Sequence, residues 1–139
     1  MKPGILFRST RGSAISEFLV FTLPFFTALL FMVVLVNDKN MAISEAKNLA
    51  RQSVRAFVTS PSNELAQARA YQVIDLYQSR LSDGEKFKRK IAMTINCSES
   101  PCLVKGGKVT VLIKVSANGL SGLTSDVVAE ASEFVDLWR

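Results

Sequence analysis

Histidine is absent from all 139 residues. That removes His-based triads, His-ligated metals and the ordinary general base at neutral pH. Cysteine occurs twice, at Cys97 and Cys102, too few for a Cys₄ zinc site. Their separation by Ser98-Glu99-Ser100-Pro101 is not the Cys-x-x-Cys of a redox centre. No glycine-rich phosphate loop stands between a strand and a helix, and Gly106-Gly107 reads as a turn. Asp75, Asp83, Glu85 and Glu99 lie scattered beside polar residues and read as solvated surface. Internal repeats and low-complexity tracts are missing too. No catalytic residue, cofactor or metal is expected, and the chain does not read as an enzyme.

What the sequence has is one long apolar run. Phe18 to Val36, FLVFTLPFFTALLFMVVLV, is uncharged throughout. At about 1.5 Å per residue it spans roughly 28 Å as a helix, close to the hydrocarbon thickness of a bilayer. It has no polar stripe, so it is not a surface helix. The remaining chain is too small to cover such a helix on all sides. Pro24 would cost about 3 kcal/mol inside a helix in water, but membrane helices tolerate proline. A signal peptide fits less well, because its apolar core is shorter and ends in small residues, whereas this run ends in Val34-Leu35-Val36-Asn37-Asp38. The net charge of +5 is unevenly placed. Lys2, Arg8 and Arg11 precede the run, while Asp38 and Lys39 cancel after it. This asymmetry predicts a single pass in the cytoplasmic membrane, N-terminus inside and residues 37–139 outside.

The junction before the run is Arg11-Gly12-Ser13-Ala14-Ile15-Ser16-Glu17-Phe18. A carboxylate at the mouth of a membrane helix loses hydration and calls for a partner. Alone, it also reads as an interfacial acid favoured by the helix dipole. A short basic leader ending in glycine, four residues, Glu-Phe and then an apolar helix resembles a type IV prepilin processing site. The form Gly12-Ser13-Ala14-Ile15-Ser16-Glu17-Phe18 resembles the TadE-like pseudopilins of the tight-adherence (Flp) pilus system. Pro24 early in the helix, the stretch Ala42 to Arg55 and the later Val109-Thr110-Val111 are similar to that family as well. Secretion and competence pseudopilins carry Gly-Phe-Thr-Leu-x-Glu here, from which Ser13-Ala14-Ile15-Ser16 departs. The resemblance implies cleavage between Gly12 and Ser13 by a prepilin peptidase. It further implies that the new Ser13 amine meets the Glu17 carboxylate of a neighbouring subunit, with Glu17 and Phe18 serving assembly. The implied partners are the peptidase, other pilus or pseudopilus subunits, an inner-membrane assembly platform and membrane lipid, with the protein either in the pilus or in the membrane beneath it.

Beyond the run, Ala42, Ala46, Leu49, Ala50, Ser53, Val54, Phe57 and Val58 share one helical face. Lys47, Arg51 and Arg55 recur on another. Without interleaved aromatics these cations read as a solvated face, and no nucleic acid is expected. One helix is predicted from about Ser13 to about Thr59, with Asn37-Asp38 a point of interruption. Ser60-Pro61-Ser62-Asn63-Glu64 breaks it and starts a second helix, with Ala66, Ala70, Val73, Ile74, Tyr77 and Leu81 on its apolar face. Ser82-Asp83-Gly84 reads as the turn that ends it. The period then changes to two. Ile91, Met93, Ile95 and Cys97 alternate in Arg89–Cys97. Val109, Val111, Ile113 and Val115 follow in Lys108–Ser116, and Val127, Ala129, Ala131, Glu133, Val135 and Leu137 in a third run. Gly119-Leu120-Ser121-Gly122-Leu123 is the loop between the last two. An extracytoplasmic location favours a Cys97–Cys102 disulfide over two free thiols.

The expected fold is α+β and pilin-like: a long N-terminal helix, a short second helix and a C-terminal antiparallel sheet of about three strands. The expected segments are a leader at 1–12, a membrane helix at 13–36, its amphipathic continuation at 37–60 and an α+β head at 61–139. The expected function is that of a structural minor pilin or pseudopilin in assembly or initiation of a tight-adherence pilus. The alternative is an unprocessed single-pass protein whose outer domain binds a partner in an envelope complex.

Overall fold

The computed structural model describes residues 11–118 and 124–136, and the side chains of 15–116 and 126–136. The elements are α1 (Arg11–Val58), α2 (Asn63–Arg80), α3 (Asp83–Lys88), β1 (Arg89–Cys97), β2 (Lys108–Asn118) and β3 (Thr124–Phe134). The chain divides into two compact units, one ending at Asp38 and one beginning at Lys39. Asn37 and Asp38 are helical, so the expected interruption is not a break in the helical backbone. The expected loop at 119–123 and the inward position of Leu137 lie outside the described residues.

In the second unit, the strands form an antiparallel meander in the order β1-β2-β3. The period-two pattern becomes register. On the central strand Val115 stands between Ile91 and Val127, and Ile113 between Met93 and Ala129. Val111 stands between Ile95 and Ala131. The central strand is the most enclosed, with Val109, Val111, Ile113 and Val115 all buried. On its edges β1 carries the larger side chains and β3 the smaller ones. The cover is helical: Ala42, Ala46, Leu49, Ala50, Ser53, Val54 and Phe57 of α1 are buried, with Ala66, Ala70 and Ile74 of α2. All but Ser53 belong to one hydrophobic cluster with the sheet. Alanine dominates the helical contribution and β-branched residues the strands, as each backbone prefers.

Ser62 caps α2 by accepting from the Leu65 N–H at 3.4 Å, so Pro61 lies before the helix instead of in its first turn. Ser82-Asp83-Gly84 is not a plain turn. It opens α3, because the Glu85 carboxylate accepts from the Ser82 N–H at 3.1 Å and the Ser82 hydroxyl at 2.9 Å. β3 ends at Phe134, yet Val135 is buried and keeps two backbone hydrogen bonds, to Gly106 and Gly107. Gly106 sits at φ 77°, a conformation that favours glycine. A Cβ on Gly107 would stand 3.0 Å from the Val104 carbonyl oxygen.

Two outcomes test this packing. Ala50→Leu, at a fully enclosed position, should destabilise the head by about 1–3 kcal/mol, whereas Ala92→Leu on the exposed side of β1 should change stability by less than about 0.5 kcal/mol. Chemical denaturation of the detergent-solubilised chain reads both. The second concerns α3. Hydrogen bonds from the Ser82 side chain, then its backbone, hold the Glu85 carboxyl below its ordinary 4.5. A depressed folded value means the support is present above the ordinary pKa and lost as pH falls through the lowered one. The protection of the Glu85 and Lys86 amides, taken relative to intrinsic exchange at each pH, should therefore fall on acidification below pH 4.5, before that of the strand amides, and Glu85→Ala should abolish this pH-dependent loss.

Candidate functional site

In the first unit the described part of α1 starts at Arg11, so helical backbone already covers the two residues ahead of the expected start at Ser13. Nothing in Arg11-Gly12 stops a helix, since glycine inside one costs only about 1 kcal/mol relative to alanine. The Gly12–Ser13 bond is therefore helical, and a peptidase that needs extended backbone would have to open the helix there. The side chain of Ser13 falls outside the described set. Glu17 and Phe18 are both exposed.

From there the helix presents apolar surface in every direction. Its most apolar 18-residue stretch has a mean hydropathy of 2.6, and none of it is buried. Phe21 is 76% exposed and even Leu35 is 38% exposed. Pro24 brings no N–H, so the Val20 carbonyl loses its helical donor. The Thr27 hydroxyl donates to the Pro24 carbonyl at 2.9 Å. Phe25 and Phe26 meet edge to face, with ring centroids 6.3 Å apart. A helix of this length and composition is compatible with a single membrane crossing.

The second unit holds a polar cluster that sequence reading missed. The Arg89 guanidinium, on the first residue of β1, donates to the Glu45 carboxylate of α1 and lies 3.4 Å from the Tyr77 hydroxyl of α2. The Arg89 and Glu45 side chains are only 17% and 19% exposed. Burial alone would lower the Arg89 pKa, but hydrogen bonds and the Glu45 charge outweigh it and push the group up. Burial raises the Tyr77 phenol, and Glu45 adds to the effect. Beside the cluster runs a groove of about 300 Å³ lined by Glu45, Asn48, Gln52, Leu76, Tyr77 and Arg80. One signal was available: Tyr77 stands on the apolar face of α2, and a buried phenol needs a polar partner.

Cys97 and Cys102 form a disulfide, with Cα atoms 5.3 Å apart. The loop it closes is tied to α2, where Asn63 Oδ1 accepts from the Leu103 N–H at 3.1 Å. Arg55 pairs with Glu133 at 3.5 Å. Lys47 and Arg51 are exposed, as are Asp75, Asp83, Glu85 and Glu99. Among the described residues no three His, Cys, Asp or Glu side chains group as a metal site. The junction residues belong to the first unit and the Arg89 cluster to the second.

Comparisons with protein-family models, curated proteins and solved structures find no match. The functional reading therefore rests on the junction residues and on the apolar surface that follows them.

The cluster is open to a direct test. Glu45→Gln and Arg89→Gln should each destabilise the head by about 1–3 kcal/mol, since each leaves a half-buried partner unmatched. The double variant should cost less than the sum of the two, with a coupling above about 0.5 kcal/mol in a denaturation cycle. Strict additivity would show that the pair adds nothing.

Proposed function

We propose that this chain is a structural minor pilin or pseudopilin, TadE-like, acting in assembly or initiation of a tight-adherence pilus after a prepilin peptidase removes its leader. One observation carries the reading. Gly12 ends a basic leader five residues before Glu17-Phe18, directly ahead of an apolar helix with no cover of its own. The apolar run holds the chain in the cytoplasmic membrane with the head outside. Cleavage at Gly12–Ser13 frees an amine close to the membrane surface. In a medium of reduced dielectric that cation pairs with Glu17 of a neighbour and sets the axial register between subunits. The carboxylate thereby gains the partner it lacks in lipid, where an acid costs on the order of 2.5–3.5 kcal/mol at the bilayer centre and less near its edge.

A second reading has one observation in its favour. The Gly12–Ser13 bond is already helical, which suits an uncut single-pass protein whose head binds a partner in an envelope complex.

Glu17→Gln separates the two. The variant should insert, fold and be processed, yet enter its complex poorly, and piliation should fall. Normal piliation by a correctly processed variant would remove the role given to Glu17. The topology has its own test: protease added to intact spheroplasts should digest residues beyond about Asn37. A protected head with an accessible N-terminus would invert the orientation.

A further inference from the structure

Phe87 is the most exposed large apolar side chain among the described residues, at 82%, above even Phe21 of the uncovered helix. It sits in α3 between Lys86 and Lys88, two residues before the exposed Lys90. No core position accounts for it, because α3 buries none of its residues. We propose that Lys86, Phe87, Lys88 and Lys90 form a second membrane contact, a seat for the headgroups of anionic phospholipid. This rests on reading the apolar run as a membrane span.

Three observations favour lipid over a protein partner. The first is tethering. Arg89, next to this segment, is anchored to Glu45, and Glu45 stands nine residues beyond Val36. At about 3.5 Å per extended residue, the covalent reach from the end of the apolar run to Glu45 is at most about 32 Å. A span in the bilayer thus keeps the segment at high local concentration near the membrane surface. The second is composition. One aromatic ring among lysines suits the headgroup layer, where the ring lies at the apolar boundary and the ammonium groups meet phosphate. A protein interface would need several adjoining apolar side chains around a desolvated centre. The third is charge. The nearby acids are engaged: Asp83 pairs with Lys86 at 3.3 Å, and Glu85 accepts two hydrogen bonds from Ser82. Lys88 and Lys90 have no ion-pair partner among the described residues. Each lysine near an anionic surface contributes about fivefold to partitioning, so Lys88 and Lys90 together can hold a tethered ring against the headgroups.

The test uses the full chain in nanodiscs of brominated phospholipid. Trp138→Phe with Phe87→Trp leaves position 87 as the single tryptophan, excited selectively over Tyr71 and Tyr77, and a companion carries Phe25→Trp instead. The expected result at position 87 is about twofold quenching in bilayers one-third phosphatidylglycerol, with none in pure phosphatidylcholine. Replacing Lys86, Lys88 and Lys90 with Gln should abolish it. Position 25 should be quenched in both bilayers, which reports the span independently. Quenching at position 25 with none at position 87 in either bilayer would overturn the proposal and leave the span intact. So would equal quenching at position 87 in both bilayers, which would remove the anionic preference. No quenching at position 25 would overturn the span reading and this inference with it.

Discussion

An apolar helix without a cover is the constraint from which the other features follow. Phe18 to Val36 offers no polar stripe, and its side chains stay exposed in the folded chain. Burying them all in water would need a ring of partners that a head of this size cannot supply. A bilayer would supply it, and so would neighbouring copies of a similar helix. The flanking residues then acquire meaning. On the proposed reading, cations ahead of the run set its direction, and Glu17 at its mouth is costly unless something meets it. Pro24, which would weaken a helix in water, is tolerated in lipid.

The head is built so that it needs nothing from that run. Its core starts at Ala42, where the helix changes from uniformly apolar to striped. Two fastenings then secure the sheet at opposite ends of β1. The Arg89–Glu45 pair holds the first residue of the strand to α1, and the Cys97–Cys102 disulfide closes its last. Between them the register carries the apolar side chains of three strands inward. The result is a self-contained body in the same chain as a membrane-compatible helix.

Much of this was legible because burial has a period. Alternation marked Arg89–Cys97 to the residue, and the stripe from Ala42 to Phe57 named the buried face of α1. What stayed hidden has no period. α3 buries nothing, so Asp83–Lys88 shows no apolar face, and its opening serine and glycine imitate a turn. The Arg89–Glu45–Tyr77 cluster joins residues up to 44 positions apart, and pairing of that kind leaves no local trace. Glu133 reads as an inward residue of the third strand, and the structure gives it Arg55 from α1, again a long-range partner. At the junction the spacing of Gly12 to Glu17 was visible, whereas the helical state of Arg11 and Gly12 was not, because a glycine there reads as the end of a leader.

The central claim is that the residues before the apolar run are a leader, and it is met most directly by the intact mass of the wild-type protein extracted from membranes. The account predicts a chain that begins at Ser13, lighter by residues 1–12 and by two hydrogens for the Cys97–Cys102 bond. A membrane-extracted protein that retains Met1 to Gly12 would contradict it.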